Sequence, residues 1–154
     1  SNIYYQGMRP AVNIPLSVTR VGRQTLDKLS REVNKDLTSF LATYDKLLNL
    51  SHFGQELTDD VKKKLRIGEM VNKFFNQPYH VTVPLNVQLI ILSMILQDMI
   101  ESKEVLDKVK SGLIRAAKNA DWNRMFSDII NTNDIKVFNQ NVLREKQRLM
   151  IFAK

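Results

Sequence analysis

The sequence predicts an all-α helical bundle preceded by a short extended leader. After Gly22, apolar residues recur at three- and four-residue steps, the spacing of one helix face. Residues 8–19 differ, because they hold two prolines and several β-branched residues without a helical period. The chain shows neither internal repeats nor low-complexity tracts. We therefore expect an extended segment over residues 1–22 and about six helices over residues 23–154.

The first predicted helix is long and amphipathic. Its apolar stripe comprises Leu26, Leu29, Val33, Leu37, Phe40, Leu41, Tyr44, Leu47 and Leu48. Residues 50–60 interrupt the period, and Gly54 provides a flexible point there. Thr58 is a candidate N-cap, with Asp59 and Asp60 in the first turn of a second helix that runs to about residue 76.

The sequence of the second half of the chain predicts four more helices. Residues 77–84 form a connection that contains prolines near both ends. Residues 87–100 are the most apolar stretch, yet they are too short to cross a bilayer and include polar side chains, so a buried helix over residues 85–100 is expected. Ser102 is a candidate cap for the next helix. A shorter helix follows near residues 121–130, and a last one over residues 133–152.

Composition and charge exclude some functions. Cysteine is absent, which rules out disulfides, thiolate metal sites and cysteine nucleophiles. The net charge of +7 suits solubility, nucleic acid, an anionic membrane surface or nucleotide phosphates. Basic residues are spread along the chain and mixed with acids. The compact run Lys62–Lys64 with Arg66 follows Asp59 and Asp60, which favours a solvated helix face.

Signatures of enzyme active sites are missing from the sequence. There is neither a GxxxxGK phosphate loop, nor a GxGxxG turn, nor a GxSxG elbow. His52 and His80 lie far apart and outside any metal-ligand spacing, so no metal site is expected. The chain alone is therefore predicted to be inactive as an enzyme.

The leader carries a dense motif. Residues 4–22 read YYQGMRPAVNIPLSVTRVG, and farther on Tyr44 and the segment HFGQEL follow. This pattern resembles the alpha subunit of the rotary ATP synthase, at the junction of its nucleotide-binding and C-terminal helical domains. The matching leader positions are Tyr4, Tyr5, Gly7, Arg9, Pro10, Ala11, Asn13, Ser17, Val18, Arg20, Val21 and Gly22.

The resemblance implies a domain division and a catalytic residue. Residues 1–22 would be a remnant of the nucleotide-binding domain, and residues 23–154 the C-terminal helical bundle. Arg20 matches the arginine finger that reaches the catalytic site of a neighbouring beta subunit. A guanidinium stays charged and presents a rigid fork to phosphate oxygens, and such fingers generally contribute roughly 10³–10⁵ in rate.

The resemblance implies two further sites. Tyr4, Arg9 and Pro10 match positions at the adenine pocket of the alpha subunit's own non-catalytic nucleotide site, where aromatic and guanidinium groups suit a purine. The segment 53–60 matches the tip that faces the rotor shaft. Its candidate rotor-facing residues are Phe53, Gly54, Gln55, Glu56, Asp59 and Asp60.

Partners and location also follow from the resemblance. It implies beta subunits in an alternating hexamer, a gamma rotor shaft and a delta-type stator subunit. It implies ATP or ADP with Mg²⁺ in the complete complex, with no nucleotide on this chain alone, and a peripheral position on the cytoplasmic side of the cell membrane. The sequence departs from the family at Arg23, Gln24, Thr25 and Leu26, where small residues and a glutamine are usual.

Two other interpretations stay open. One is a free-standing basic helical module that binds nucleic acid or protein. Nucleic-acid binding favours basic residues on one face with interleaved aromatics, and the linear sequence shows no such stripe. The other is a divergent relative of the alpha subunit that serves a different motor, which the departure after Gly22 favours.

Overall fold

The computed structural model describes residues 24–53, 56–76 and 83–151, with side chains from residue 28 onward. These residues form seven helices and no strand. The helices are α1 (Gln24–His52), α2 (Asp59–Phe75), α3 (Leu85–Leu96), α4 (Lys103–Ala116), α5 (Ala120–Ile130), α6 (Ile135–Arg144) and α7 (Lys146–Met150). The all-α prediction is confirmed, whereas the leader over residues 1–22 lies outside the described residues.

Helix α3 occupies the centre of the core. All of its residues from Val87 to Ile95 are buried, and α1, α2, α4, α5 and α6 pack against it. Its buried polar groups are bonded, since Gln88 Nε2 donates to the Val83 carbonyl at 2.9 Å and Ser93 Oγ donates to Asn139 Oδ1 at 2.7 Å. A helix that is apolar on every side needs neighbours on every side. Among the described helices, none is long and apolar enough to cross a bilayer.

Two helix starts follow the caps that the sequence predicts. Thr58 Oγ1 accepts a hydrogen bond from the Val61 amide at 3.2 Å, and Ser102 Oγ accepts one from the Val105 amide at 3.2 Å. Each bond satisfies an amide that the helix itself leaves without a partner. Both cap predictions are confirmed.

The predicted end of α3 is wrong by four residues, because the helix stops at Leu96 rather than at residue 100. Asp98 adopts a left-handed backbone with φ of 60°. The Met99 amide then reaches the Met94 carbonyl at 2.9 Å and the Asp98 amide reaches the Ile95 carbonyl at 3.0 Å, the pattern of a Schellman motif. Arg66 Nη2 donates to both carboxylate oxygens of Asp98, at 2.9 and 2.8 Å. A contact from α2 therefore secures this turn.

The last predicted helix, residues 133–152, is divided at Glu145 into α6 and α7. The Glu145 carboxylate pairs with Arg144 Nε at 3.3 Å and with Arg148 Nη1 at 3.2 Å. The sequence holds neither proline nor glycine at this point, so no local signal marks the break.

Helices α1 and α2 approach closely where Gly68 faces Tyr44. A Cβ atom built on Gly68 would lie 2.2 Å from Tyr44 Cδ1 and 2.3 Å from Cε1. Both residues are buried, so the ring fills the space that a side chain at position 68 would need. Glycine is therefore required there by packing.

We expect Gly68→Ala to lower the free energy of unfolding by about 2 kcal/mol, since an added methyl in a filled core forces the ring or a helix to shift. Urea denaturation of the purified chain measures this. The same substitution made beside Tyr44→Leu should cost clearly less, because the obstructing ring is gone. Equal costs in both backgrounds would contradict the close contact.

Candidate functional site

The end of α1 and the start of α2 form an exposed tip, which we define as residues 50–53 and 56–60. Phe53 is 78% exposed and Leu50 is 45% exposed, so two large apolar side chains face solvent. Glu56, Asp59 and Asp60 are also exposed. Four of the six residues predicted to face a rotor thus lie on one exposed end, while Gly54 and Gln55 lie outside the described residues.

Two of the three acids of the tip, Asp59 and Asp60, have roles within α2. Asp59 and Asp60 occupy its first turn, where negative charge interacts favourably with the helix dipole. Asp60 Oδ2 also lies 3.2 Å from Lys64 Nζ. Lys62 and Lys63 are exposed beside them, in agreement with the solvated face predicted for this run. The tip and the adjoining first turns of α2 together therefore carry mixed charge. The most exposed large apolar group of the tip is the Phe53 ring.

Tyr44 fixes α1 to α2 a few turns from the tip. Its side chain is buried, and its ring lies parallel to that of Phe40 with 6.5 Å between centroids. Burial raises the pKa of Tyr44 above its usual 10.0, and the nearby carboxylates of Glu69 and Asp45 raise it further, while a hydrogen bond with Asn72 opposes them. The phenol is neutral at physiological pH and serves as a structural anchor.

Helix α1 runs without a break from Gln24 to His52, at the edge of the tip. It has 29 residues, which corresponds to a length of about 43 Å. It begins four residues after Arg20 and ends at His52, next to Phe53. Arg20 itself, and the predicted adenine-pocket residues Tyr4, Arg9 and Pro10, lie outside the described residues.

A concave surface cleft lies between α5, α6 and α7. This cleft of about 330 Å³ is lined by Asp121, Arg124, Met125, Asp128, Ile129, Arg144, Glu145 and Arg148. Glu145 binds two of the three arginines, and the Arg148 guanidinium lies 5.8 Å from the Trp122 ring centroid. Within the described part of the chain, no cluster of three or more histidine or carboxylate side chains is arranged to hold a metal ion.

Sequence inspection missed one charged surface. The exposed side of α1, opposite the core, gathers Lys28, Arg31, Lys35 and Lys46 on one face. In linear order these residues alternate with acids, and only projection around the helix brings them together. No aromatic residue is interleaved among the four cations, so this face still lacks the stripe that is typical of nucleic-acid binding.

The pKa of Tyr44 gives a pH prediction. A folded-state pKa raised above the unfolded value contributes stability that is present below pH 10 and lost as pH rises through the folded pKa. We expect the free energy of unfolding to fall less steeply above pH 10 in Tyr44→Phe than in the parent chain. Urea denaturation between pH 8 and about 11 measures this. Parallel curves for the two proteins would contradict the buried neutral phenol.

Comparison with known proteins identifies a domain family. Residues 27–148 match the family described as ATP synthase alpha/beta chain, C terminal domain. The ATP synthase subunit alpha of Wigglesworthia glossinidia brevipalpis is 29% identical over 120 residues, which cover 78% of this chain and 22% of that protein. The Clostridium acetobutylicum subunit alpha is 32% identical over 115 residues, 73% of this chain and 23% of that protein.

A third relative, ATP synthase subunit alpha of Desulfotalea psychrophila, is 37% identical over 91 residues, 59% of this chain and 18% of that protein. The chain thus spans about a fifth of the length of the curated relatives it matches. No solved structure matches it significantly. The family match includes α2 to α6 in full, nearly all of α1 and the first three residues of α7. The chain therefore belongs to the family of the C-terminal domain of ATP synthase alpha/beta chains, and it corresponds to the C-terminal region of the alpha type.

Proposed function

We propose that this chain acts as the C-terminal part of a non-catalytic alpha subunit that couples rotor movement to ATP synthesis or hydrolysis. The observation that supports the proposal is α1, one unbroken helix from Gln24 to His52 that ends next to the exposed Phe53. Arg20 lies four positions before its first residue in the sequence. A displacement at the tip would move the start of α1, and with it the finger.

The packing of α1 supports this mechanical role. Its inner face is buried over about four turns, through Leu29, Val33, Leu37, Leu41 and Tyr44. Tyr44 lies against Gly68 at a distance that permits no side chain there. Because packed interiors resist compression, α1 and α2 are expected to move as one body.

Arg20 would act on a nucleotide bound by a neighbouring beta subunit. Its guanidinium would stabilise the charge that develops on the transferring phosphoryl group, while Mg²⁺ and the remaining phosphate contacts would come from that partner. Tyr4, Arg9 and Pro10 would contribute to an adenine pocket of the alpha subunit's own site, which takes ATP or ADP in the complete complex.

The assembly implied is a ring of alternating alpha and beta subunits around a gamma shaft, held by a delta-type stator subunit. The whole would lie peripherally on the cytoplasmic side of the membrane. In this assembly the Phe53 ring would contact the shaft, while Asp59 and Asp60 take part in the start of α2.

Replacing Arg20 tests the finger. In the assembled complex we expect Arg20→Ala to reduce steady-state ATP turnover about 10³-fold without loss of assembly, and Arg20→Lys to remain far below the parent because an ammonium lacks the planar fork. Arg115→Ala, at an exposed position of α4, is the control. The isolated chain should show no turnover. Near-normal rates in Arg20→Ala would remove the finger role.

Replacing Phe53 tests the tip. Its 78% exposure means that Phe53→Ser should leave the stability of the chain almost unchanged. In the complex we expect about tenfold lower turnover, since an aromatic anchor at an interface contributes strongly to contact. Leu143→Ser, exposed on α6, is the matched control. If both variants behave like the parent, Phe53 makes no functional rotor contact.

A further inference from the structure

One face of α1 is strongly positive. Its four basic residues fall within an arc of about 60° when each residue advances the helix by about 100°. All four are exposed, and the arc is centred opposite the buried stripe of α1. We name this surface the cationic face and define it as Lys28, Arg31, Lys35 and Lys46. It extends about 27 Å along the helix axis.

The charge of this face is not neutralised by ion pairs within the described part of the chain. The ion pairs found there join other residues. Three acids of the same helix have described side chains, and Glu32, Asp36 and Asp45 lie outside the arc by about 40° to 80°. Only Asp36 among them is fully exposed. The face therefore keeps a net positive charge that an external group can neutralise.

The middle of the same helix surface is small and uncharged. Between Lys35 and Lys46, the exposed positions near the arc are Thr38, Ser39, Ala42 and Thr43. Such short side chains let a second backbone approach closely, with the longer cations reaching around it from both ends. The shape of the surface therefore suits an elongated partner laid along α1.

We propose that the cationic face docks an acidic helix of a neighbouring protein subunit. A bilayer is a poorer occupant, since the face has no large apolar side chain between Lys28 and Lys46 to enter it. Nucleic acid is also poorer, because aromatic residues are absent from the face and Asp36 and Asp45 flank it. An acidic helix instead offers carboxylates at three- and four-residue steps, which match the spacing of the basic residues. The inference rests on the proposed function for the assembly that supplies this neighbour.

Zero-length carbodiimide cross-linking of the assembled complex tests the docking. This reagent joins an amine to a carboxylate only where the two are in contact. We expect cross-links from Lys28, Lys35 or Lys46 to aspartate or glutamate residues of another subunit, identified by peptide mass spectrometry. Lys62, Lys63 and Lys118, exposed on other parts of the surface, are the internal controls.

Cross-links to other subunits that come only from the control lysines would overturn the docking. In an assembled complex that retains turnover, this result leaves the proposed function intact. If the chain fails to assemble with beta-type and shaft subunits at all, both the proposed function and this inference fail.

Charge removal gives a second readout. We expect the triple variant Lys28→Gln, Arg31→Gln, Lys35→Gln to associate about tenfold more weakly with the remaining subunits at low salt, and the difference to shrink at 0.5 M salt, about the ionic strength at which surface attraction is largely screened. The matched control is Lys62→Gln, Lys63→Gln, Lys118→Gln. Equal association of the two variants would contradict the docking. The docking would also be contradicted if the triple variant lost more binding to phosphatidylserine vesicles or to mixed-sequence DNA than to the subunits.

Discussion

The burial of α3 is the constraint on which the rest of the structure depends. Its segment from Val87 to Ile95 is enclosed by five other helices, and no face of it meets solvent. Each surrounding helix can then be amphipathic, with one apolar face inward and one polar face outward. The outer surface of α1 is a direct result, because its core contacts are confined to one side. The tip and the cationic face both depend on this arrangement.

The contact of Tyr44 with Gly68 adds a second constraint. It fixes α1 against α2 close to the tip, so the exposed Phe53 ring is carried on a clamped pair of helices. The acids beside Phe53 assist the start of α2 through the helix dipole and an ion pair with Lys64. In the proposed coupling, a displacement of the rotor would therefore reach α1 through the Phe53 ring rather than through Asp59 and Asp60.

Features determined by local chemistry were predictable from the sequence. The caps at Thr58 and Ser102, the long first helix and the buried α3 all follow from patterns within one segment. The end of α3 does not follow from a pattern within one segment. Asp98 adopts its left-handed backbone there while bound to Arg66, 32 positions away in the chain. The break at Glu145 has no glycine or proline signal in the sequence either.

The candidate site likewise contains residues that the structure describes and residues that remain predictions. The exposed tip was predicted from resemblance, and Phe53, Glu56, Asp59 and Asp60 do lie together at its surface. Arg20, Tyr4, Arg9 and Pro10 remain predictions from the motif in which they occur. The cationic face is not visible in the linear sequence, because its members are separated by three, four and eleven positions. Only helical geometry places them on one side of α1.

The proposed coupling requires α1 to move as one rigid rod from Gln24 to His52. Spin labels at Lys28→Cys and Asn49→Cys, both exposed positions on α1, measure its length in the assembled complex. We expect one narrow distance distribution at about 32 Å that is the same with ATP, with ADP and without nucleotide. A distribution that shifts by several ångströms or splits in two between these states would contradict it, because a helix that bends cannot carry the displacement from Phe53 to Arg20.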